Sequence, residues 1–126
     1  MNALLLVIRV LGTLLIVLGL LFWSGNAFAL LPLHMLGGML LVLTLWSLAI
    51  LAARIGEQPR LVAIALLWGV VVPILGMTQD QLVPGDAHWV IKVLHLLVGV
   101  TAIALGEVLA RRALARLPAR QLARAA

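Results

Sequence analysis

Four long apolar stretches dominate the chain and constrain its fold more than any other feature. They cover residues 3–24, 32–53, 61–79 and 88–110, and each is close to the ~20 residues that an α-helix needs to cross a bilayer. Backbone polar groups in lipid must be satisfied within the segment, and the alternation typical of barrel strands is absent, so the stretches are predicted to be helices. The sequence therefore predicts an all-α membrane protein with four transmembrane helices.

The composition excludes several other classes of protein. Hydrophobic residues make up 65% of the chain and charged residues 10%, which leaves too little polar surface for a soluble domain of this length. Cysteine is absent, which rules out disulfides and thiolate chemistry. The chain also lacks a P-loop, a dinucleotide-binding fingerprint, a nucleophile elbow and a zinc-protease motif. Whether the protein is an enzyme is left open by these absences.

The net charge of +5 reports on membrane topology and does not indicate nucleic-acid binding. The first connection between spans has no charge, and the third has only Asp80 and Asp86. The basic residues cluster instead in the second connection and the tail: Arg54, Arg60, Arg111, Arg112, Arg116, Arg120 and Arg124. The positive-inside rule then predicts that both termini are cytoplasmic, in a bacterial-type inner membrane. Residues 1–112 are predicted to form the transmembrane domain and residues 113–126 a basic cytoplasmic tail, with Glu107 and Arg111 as a structural ion pair.

An alternative reading of the first span is a cleaved signal peptide. Ala27-Phe28-Ala29 has the A-x-A form of a cleavage site, which would remove residues 1–29. The apolar region is too long for a signal peptide and no basic residue precedes it. The first helix is therefore expected to remain.

Two similar six-residue segments occur 61 residues apart, LHMLGG at 33–38 and LHLLVG at 94–99. Each opens an even-numbered span, and each of these spans ends in Ala-Arg, at Arg54 and Arg111. This pattern predicts two helical hairpins related by a parallel pseudo-twofold axis. His34 and His95 would then lie at similar depth on facing helices, in the outer half of the bilayer.

Two imidazoles at one depth are the arrangement that bis-histidine ligation of a haem iron requires. Gly38 and Gly99 each lie one turn below a histidine, where a missing side chain leaves room for a porphyrin. Lys92 lies one turn above His95 and is predicted to pair with a haem propionate. We expect it on an inward-facing stripe of the fourth helix formed by His88, Lys92, His95, Gly99, Ala102 and Gly106. The competing interpretation is structural, with histidines that hydrogen-bond a neighbouring helix and glycines that allow close packing.

On His34, His95, Gly38, Gly99 and the number of helices, the chain resembles the small transmembrane b-type cytochromes. This resemblance implies one haem b between the second and fourth helices, and electron exchange with quinol or a periplasmic carrier. Many such cytochromes hold two haems with four histidines. The three histidines of this chain exclude a second bis-histidine haem.

Other functions compatible with the sequence do not involve haem. The chain is alternatively a non-catalytic subunit or scaffold, in a homo-oligomer or a larger membrane complex. A third possibility is a quinone-binding or transport protein. Whichever of these functions holds, His88, beside Trp89, is either a surface histidine or a proton acceptor at an outer quinol site with Gln79, Gln81 or Asp86. It is also the alternative partner of His34 in a haem site.

Overall fold

The chain folds into four α-helices joined by short connections. The computed structural model describes the backbone of residues 1–125 and the side chains of residues 1–116, and this part of the chain contains no β-strand. The helices are α1 (Asn2–Trp23), α2 (Leu31–Arg54), α3 (Pro59–Thr78) and α4 (Trp89–Ala125), with 3-10 turns at Phe28–Leu30, Gln79–Gln81 and Asp86–His88. All four are long and apolar enough to cross a membrane. The predicted fold class, an all-α multi-pass membrane protein, is confirmed.

Proline and glycine mark the helix boundaries as their backbone chemistry requires. Pro32 lies in the first turn of α2 and Pro59 in the first turn of α3. In a first turn the N–H that proline lacks would have no partner within the helix, so no helical hydrogen bond is lost. Gly56 follows α2 with φ +82°, a conformation that side chains disfavour. The apolar part of α4 ends near residue 110, whereas the helix itself continues to Ala125. The basic tail therefore extends α4.

The helices α2 and α4 form the centre of the bundle. They pack against each other, and each also contacts α1 and α3, which lie on the two flanks. The prediction that the second and fourth helices face each other is confirmed. Their fully buried side chains include Leu45, Leu48, Ala49, Ala52, Ala102, Leu109 and Ala110.

Glycines let the helices approach closely in the half of the bundle that holds the termini. The Ile8 side chain of α1 fills the space above Gly106 of α4, and Ile103 of α4 lies against Gly12 of α1. An ideal Cβ at Gly12 would stand 2.7 Å from Ile103 Cδ1, so a larger residue there requires a neighbour to move. Small residues at helix contacts are the usual means of packing in lipid, where burial from water does not drive association.

Two tryptophans tie α3 to the central pair. The indole N–H of Trp46 in α2 donates to the Leu66 carbonyl of α3 at 3.0 Å, and that of Trp68 in α3 donates to the Val98 carbonyl of α4 at 3.0 Å. These bonds satisfy polar groups that lipid cannot solvate.

The two ends of the bundle differ in chemistry. We call the end with the α1–α2 and α3–α4 connections the histidine end, and the opposite end, with the termini and the α2–α3 connection, the arginine end. At the arginine end, Glu107 pairs with Arg111 at 2.9 Å, as predicted, and also with Arg9 of α1 at 2.5 Å. This second contact ties the first helix to the last.

A second ion-pair cluster at the arginine end surrounds Glu57, in the α2–α3 connection. Its side chain is fully buried, and its carboxylate accepts the N–H of Gln58 at 2.9 Å. Arg116 and Arg112 of α4 approach the same oxygen at 3.3 and 3.5 Å. The Gln58 bond, followed by the two arginines, holds the pKa of this carboxyl below its ordinary value, against the opposing effect of burial.

Candidate functional site

The site at the histidine end is built around two imidazoles. His34 is in the first turn of α2 and His95 in the second turn of α4, both half-buried. Their ring centroids are 6.3 Å apart with the planes inclined at 48°. The structure thus brings together the two histidines of the similar segments 33–38 and 94–99.

Each histidine lies over a glycine of the preceding helix in its own hairpin. An ideal Cβ on Gly19 of α1 would be 3.8 Å from His34 Cε1, and one on Gly76 of α3 would be 3.3 Å from His95 Cε1. The first distance is an ordinary contact and the second is tight. The missing side chains therefore let each ring lie against a helix backbone.

Phenylalanines cover the His34 side of the site. The ring of Phe22, near the end of α1, meets His34 edge-on, at 5.4 Å between centroids and 71° between planes. Phe28 stacks on Phe22 at 6.0 Å and 14°, and its own side chain is exposed. Edge-on and stacked contacts of this kind are favourable for aromatic rings, and they restrict the orientation of the His34 ring.

The predicted glycines below the histidines border open space. An ideal Cβ on Gly38 or on Gly99 would meet no atom within 4 Å. The neighbouring Gly37 has a different role, since it packs against Leu15 of α1, whose Cδ2 would lie 3.2 Å from a Cβ there. Gly38 and Gly99 therefore leave room that the packing of the helices does not use.

The Nδ1 atoms of His34 and His95 are both buried and have no hydrogen-bond partner. Buried polar atoms are nearly always paired, and an exception calls for an explanation. Among the side chains that the structure describes, no group of three His, Asp or Glu residues converges to hold a metal ion. The donor set thus suits a ligand that needs two imidazoles and no further protein ligand.

The other predicted site residues lie at the same end of the bundle. Lys92 is exposed, and the buried position beside it on α4 is Ile91, 7% exposed. The predicted inward stripe therefore holds at Ala102 and Gly106, which are buried, and is wrong at Lys92.

A ring nitrogen of His88 lies 3.2 Å from the Leu82 carbonyl, so this histidine closes the α3–α4 connection. Gln79 begins the 3-10 turn of that connection and is half-buried.

Sequence reasoning missed Gly19, Gly76 and Phe22. Their spacing from the histidines within each hairpin, 15 residues for Gly19–His34 and 19 for Gly76–His95, differs between the halves and gives no repeated segment. The sequence did offer one signal, because each odd-numbered span carries a glycine near the end at which the histidine of the following span lies. Comparison of the chain with protein-family models, with curated proteins and with solved structures found no match.

Proposed function

We propose that the protein is a membrane electron carrier that binds one b-type haem between α2 and α4, with His34 and His95 as the residues that would hold it. The observation that carries this proposal is the pair of adjacent, half-buried imidazoles whose Nδ1 atoms lack partners. An ionisable side chain within a membrane costs free energy, so its presence there indicates a function by default. Two such side chains in contact, from helices that face each other, favour a shared ligand.

The spacing of the rings supports a shared metal atom. Two imidazoles on opposite sides of one metal have centres about 6 Å apart, since each metal–nitrogen bond is about 2 Å and each ring centre lies about 1 Å beyond its nitrogen. The observed separation is 6.3 Å. Two imidazoles with no third His, Asp or Glu converging on them among the described side chains also match the ligand set of a bis-histidine haem.

The surrounding residues would orient the two ligands and exclude water. Phe22 restricts the His34 ring from its edge, while Gly19 and Gly76 let the two rings approach the helix backbones. Gly38 and Gly99, one turn below each ligand, border open space, and under this proposal the porphyrin would lie beside them. When bound, the haem would supply reversible one-electron transfer. The redox partner under this proposal is quinol or a periplasmic carrier, and the membrane is a bacterial-type inner membrane.

Absorbance spectra of the purified protein, produced with an ample haem supply, test the proposal. Bis-imidazole iron is low-spin, so we expect a sharp α-band after reduction with dithionite and no ready binding of carbon monoxide. His34→Ala and His95→Ala should each abolish this spectrum, because the loss of either ligand opens one face of the iron.

His88→Ala is the matched control, since His88 is bonded to a loop carbonyl at the same end of the bundle. It should leave the spectrum largely intact. Lys92→Ala should have a mild effect, because Lys92 is exposed and a propionate near it can turn to water. A colourless wild-type protein would contradict the proposal and favour a scaffold or a haem-free quinone-binding protein. Loss of the colour in His88→Ala alone would instead contradict the pairing of His34 with His95.

A further inference from the structure

The histidine pair lies close to one end of the helices. His34 is three residues from the start of α2, and His95 six residues from the start of α4, which correspond to about 5 and 9 Å of helix rise. In the other direction, Arg54 is twenty residues beyond His34 and Arg111 sixteen beyond His95, about 30 and 24 Å of rise. The site is therefore near one membrane face and far from the other.

The span between the site and the arginine end is tightly packed. Leu45, Leu48 and Leu109 are completely buried there, and the Ile8–Gly106 and Ile103–Gly12 contacts close the space between α1 and α4. The span ends at the Arg9–Glu107 ion pair.

A second bis-histidine haem, which would shorten the path for electrons between the histidine pair and the arginine end, cannot form within this chain. The chain has three histidines and no cysteine, and the third histidine, His88, lies at the same end as the other two. The rate of electron transfer falls steeply as the distance between redox groups grows. A single group held by His34 and His95 is thus placed to react with partners at the histidine end alone.

We infer that the protein exchanges electrons at one membrane face only, the face of the histidine end, and does not conduct electrons across the bilayer. This inference rests on the proposed function. A donor at that face would pass one electron to the group held by His34 and His95, and an acceptor at the same face would later remove it. A quinol donor would make two such transfers in succession and release two protons to the water on that side. No net charge crosses the membrane in either case.

Sealed lipid vesicles that contain the haem-loaded, full-length protein provide the test. Trypsin added outside cleaves the arginine-rich tail only where the arginine end faces outward, which assigns the orientation of each preparation. The haem is then reduced within the vesicles, and ferricyanide, which does not cross lipid, is added outside. We expect rapid loss of the α-band where the histidine end faces outward, and a persistent α-band in the opposite orientation until detergent opens the vesicles.

A second measurement does not depend on redox chemistry. The haem is replaced by zinc protoporphyrin, which fluoresces, and iodide is added outside as a quencher that stays in the water. Quenching should be stronger in vesicles whose histidine end faces outward. Equal oxidation and equal quenching in both orientations of vesicles shown to be sealed would overturn one-sided exchange. A protein that takes up neither porphyrin would instead overturn the proposed function itself.

Discussion

At the scale of single residues, the histidine end contains two imidazole nitrogens that the protein itself leaves without partners. A buried polar atom without a hydrogen bond costs about 1–3 kcal/mol, and His34 and His95 each carry one. The helices nonetheless bring both rings together and supply glycines behind them. A bound group that supplied partners to these nitrogens would offset that cost, and the Nδ1 of His95 lies on the side of α3, 4.0 Å from the position of a Cβ on Gly76.

The glycine behind each histidine gives a matched pair of substitutions. Gly76→Ala adds a Cβ 3.3 Å from His95 Cε1, so the ring must shift by a few tenths of an ångström, whereas Gly19→Ala adds one at an ordinary 3.8 Å from His34. In the haem-loaded protein we expect Gly76→Ala to change the g-values of the electron paramagnetic resonance spectrum, which depend on the angle between the axial rings. Gly19→Ala should leave them unchanged. Identical spectra for both variants would show that Gly76 does not position His95.

The open space at Gly99 predicts a different effect. Because no atom lies within 4 Å of a Cβ at this position, Gly99→Leu should leave the helices folded and inserted while its side chain fills the room proposed for the porphyrin. The ratio of haem to protein after purification should fall, with an unchanged circular dichroism spectrum. Haem content equal to that of the wild type would mean that the porphyrin does not lie beside Gly99.

At the scale of helices and loops, the α2–α3 connection is fixed to α4 by one carboxylate. Glu57 accepts the Gln58 N–H and meets Arg112 and Arg116, and Arg116 also donates to the Gly56 carbonyl. Because the Glu57 side chain is fully buried whereas those of Arg112 and Arg116 are 50% and 40% exposed, loss of the arginines would leave a buried charge uncompensated, which is destabilising. This contact thus holds the α2–α3 hairpin against the last helix at the arginine end.

The stability of the protein should fall in acid because of Glu57. Its pKa is lowered in the folded state, so its contribution is fully present above the ordinary carboxyl pKa and is lost as the pH falls toward the folded value. Glu57→Gln should lower the melting temperature in detergent at neutral pH by roughly 5 °C, and it should weaken the acid dependence. Asp80→Asn, which changes an exposed carboxyl in the α3–α4 connection, should alter neither. Parallel acid profiles for the wild type and Glu57→Gln would contradict this role.

The helices and the histidine pair could be predicted from the sequence because local signals encode them. Apolar length gives each span, and the similar segments 33–38 and 94–99 place His34 and His95 on facing helices. The Glu57–Arg116 and Arg9–Glu107 contacts join residues 59 and 98 positions apart, and no local pattern links them. Lys92 shows the limit of periodicity, because an error of one residue in the helix phase separates it from the buried Ile91. The glycines behind the histidines depend on how two helices rotate against each other, which composition does not specify.

At the scale of the whole molecule, the bundle has one polar end rich in arginine and one end that holds every histidine. The four helices are long and apolar enough to cross a bilayer. The net charge is positive at the arginine end and negative at the histidine end. Such asymmetry orients a membrane protein during insertion, since basic connections remain in the cytoplasm. The histidine site would then face the outer side of the membrane.

Reporter fusions test this orientation. A reporter that is active only in the cytoplasm should work at the C-terminus, and one that is active only outside should work when inserted at Gly85, in the α3–α4 connection. Arg54→Glu combined with Arg60→Glu should weaken the preference, because these basic residues flank the α2–α3 connection, Arg54 as the last residue of α2 and Arg60 in the first turn of α3. An external C-terminus would reverse the orientation and place the histidine site on the cytoplasmic side.

The unbroken α4 has a practical optical consequence. From His95 the helix continues for thirty residues to Ala125, about 45 Å of rise, which sets the scale of the separation between the site and a fluorescent domain fused beyond that residue. A haem bound as proposed would absorb visible light strongly, and a fluorophore at that distance would lose part of its excitation to it. The emission lifetime of such a fusion would shorten when the site fills and stay long in His95→Ala. The length of one helix would thus turn the far end of the chain into a reporter of occupancy in living membranes.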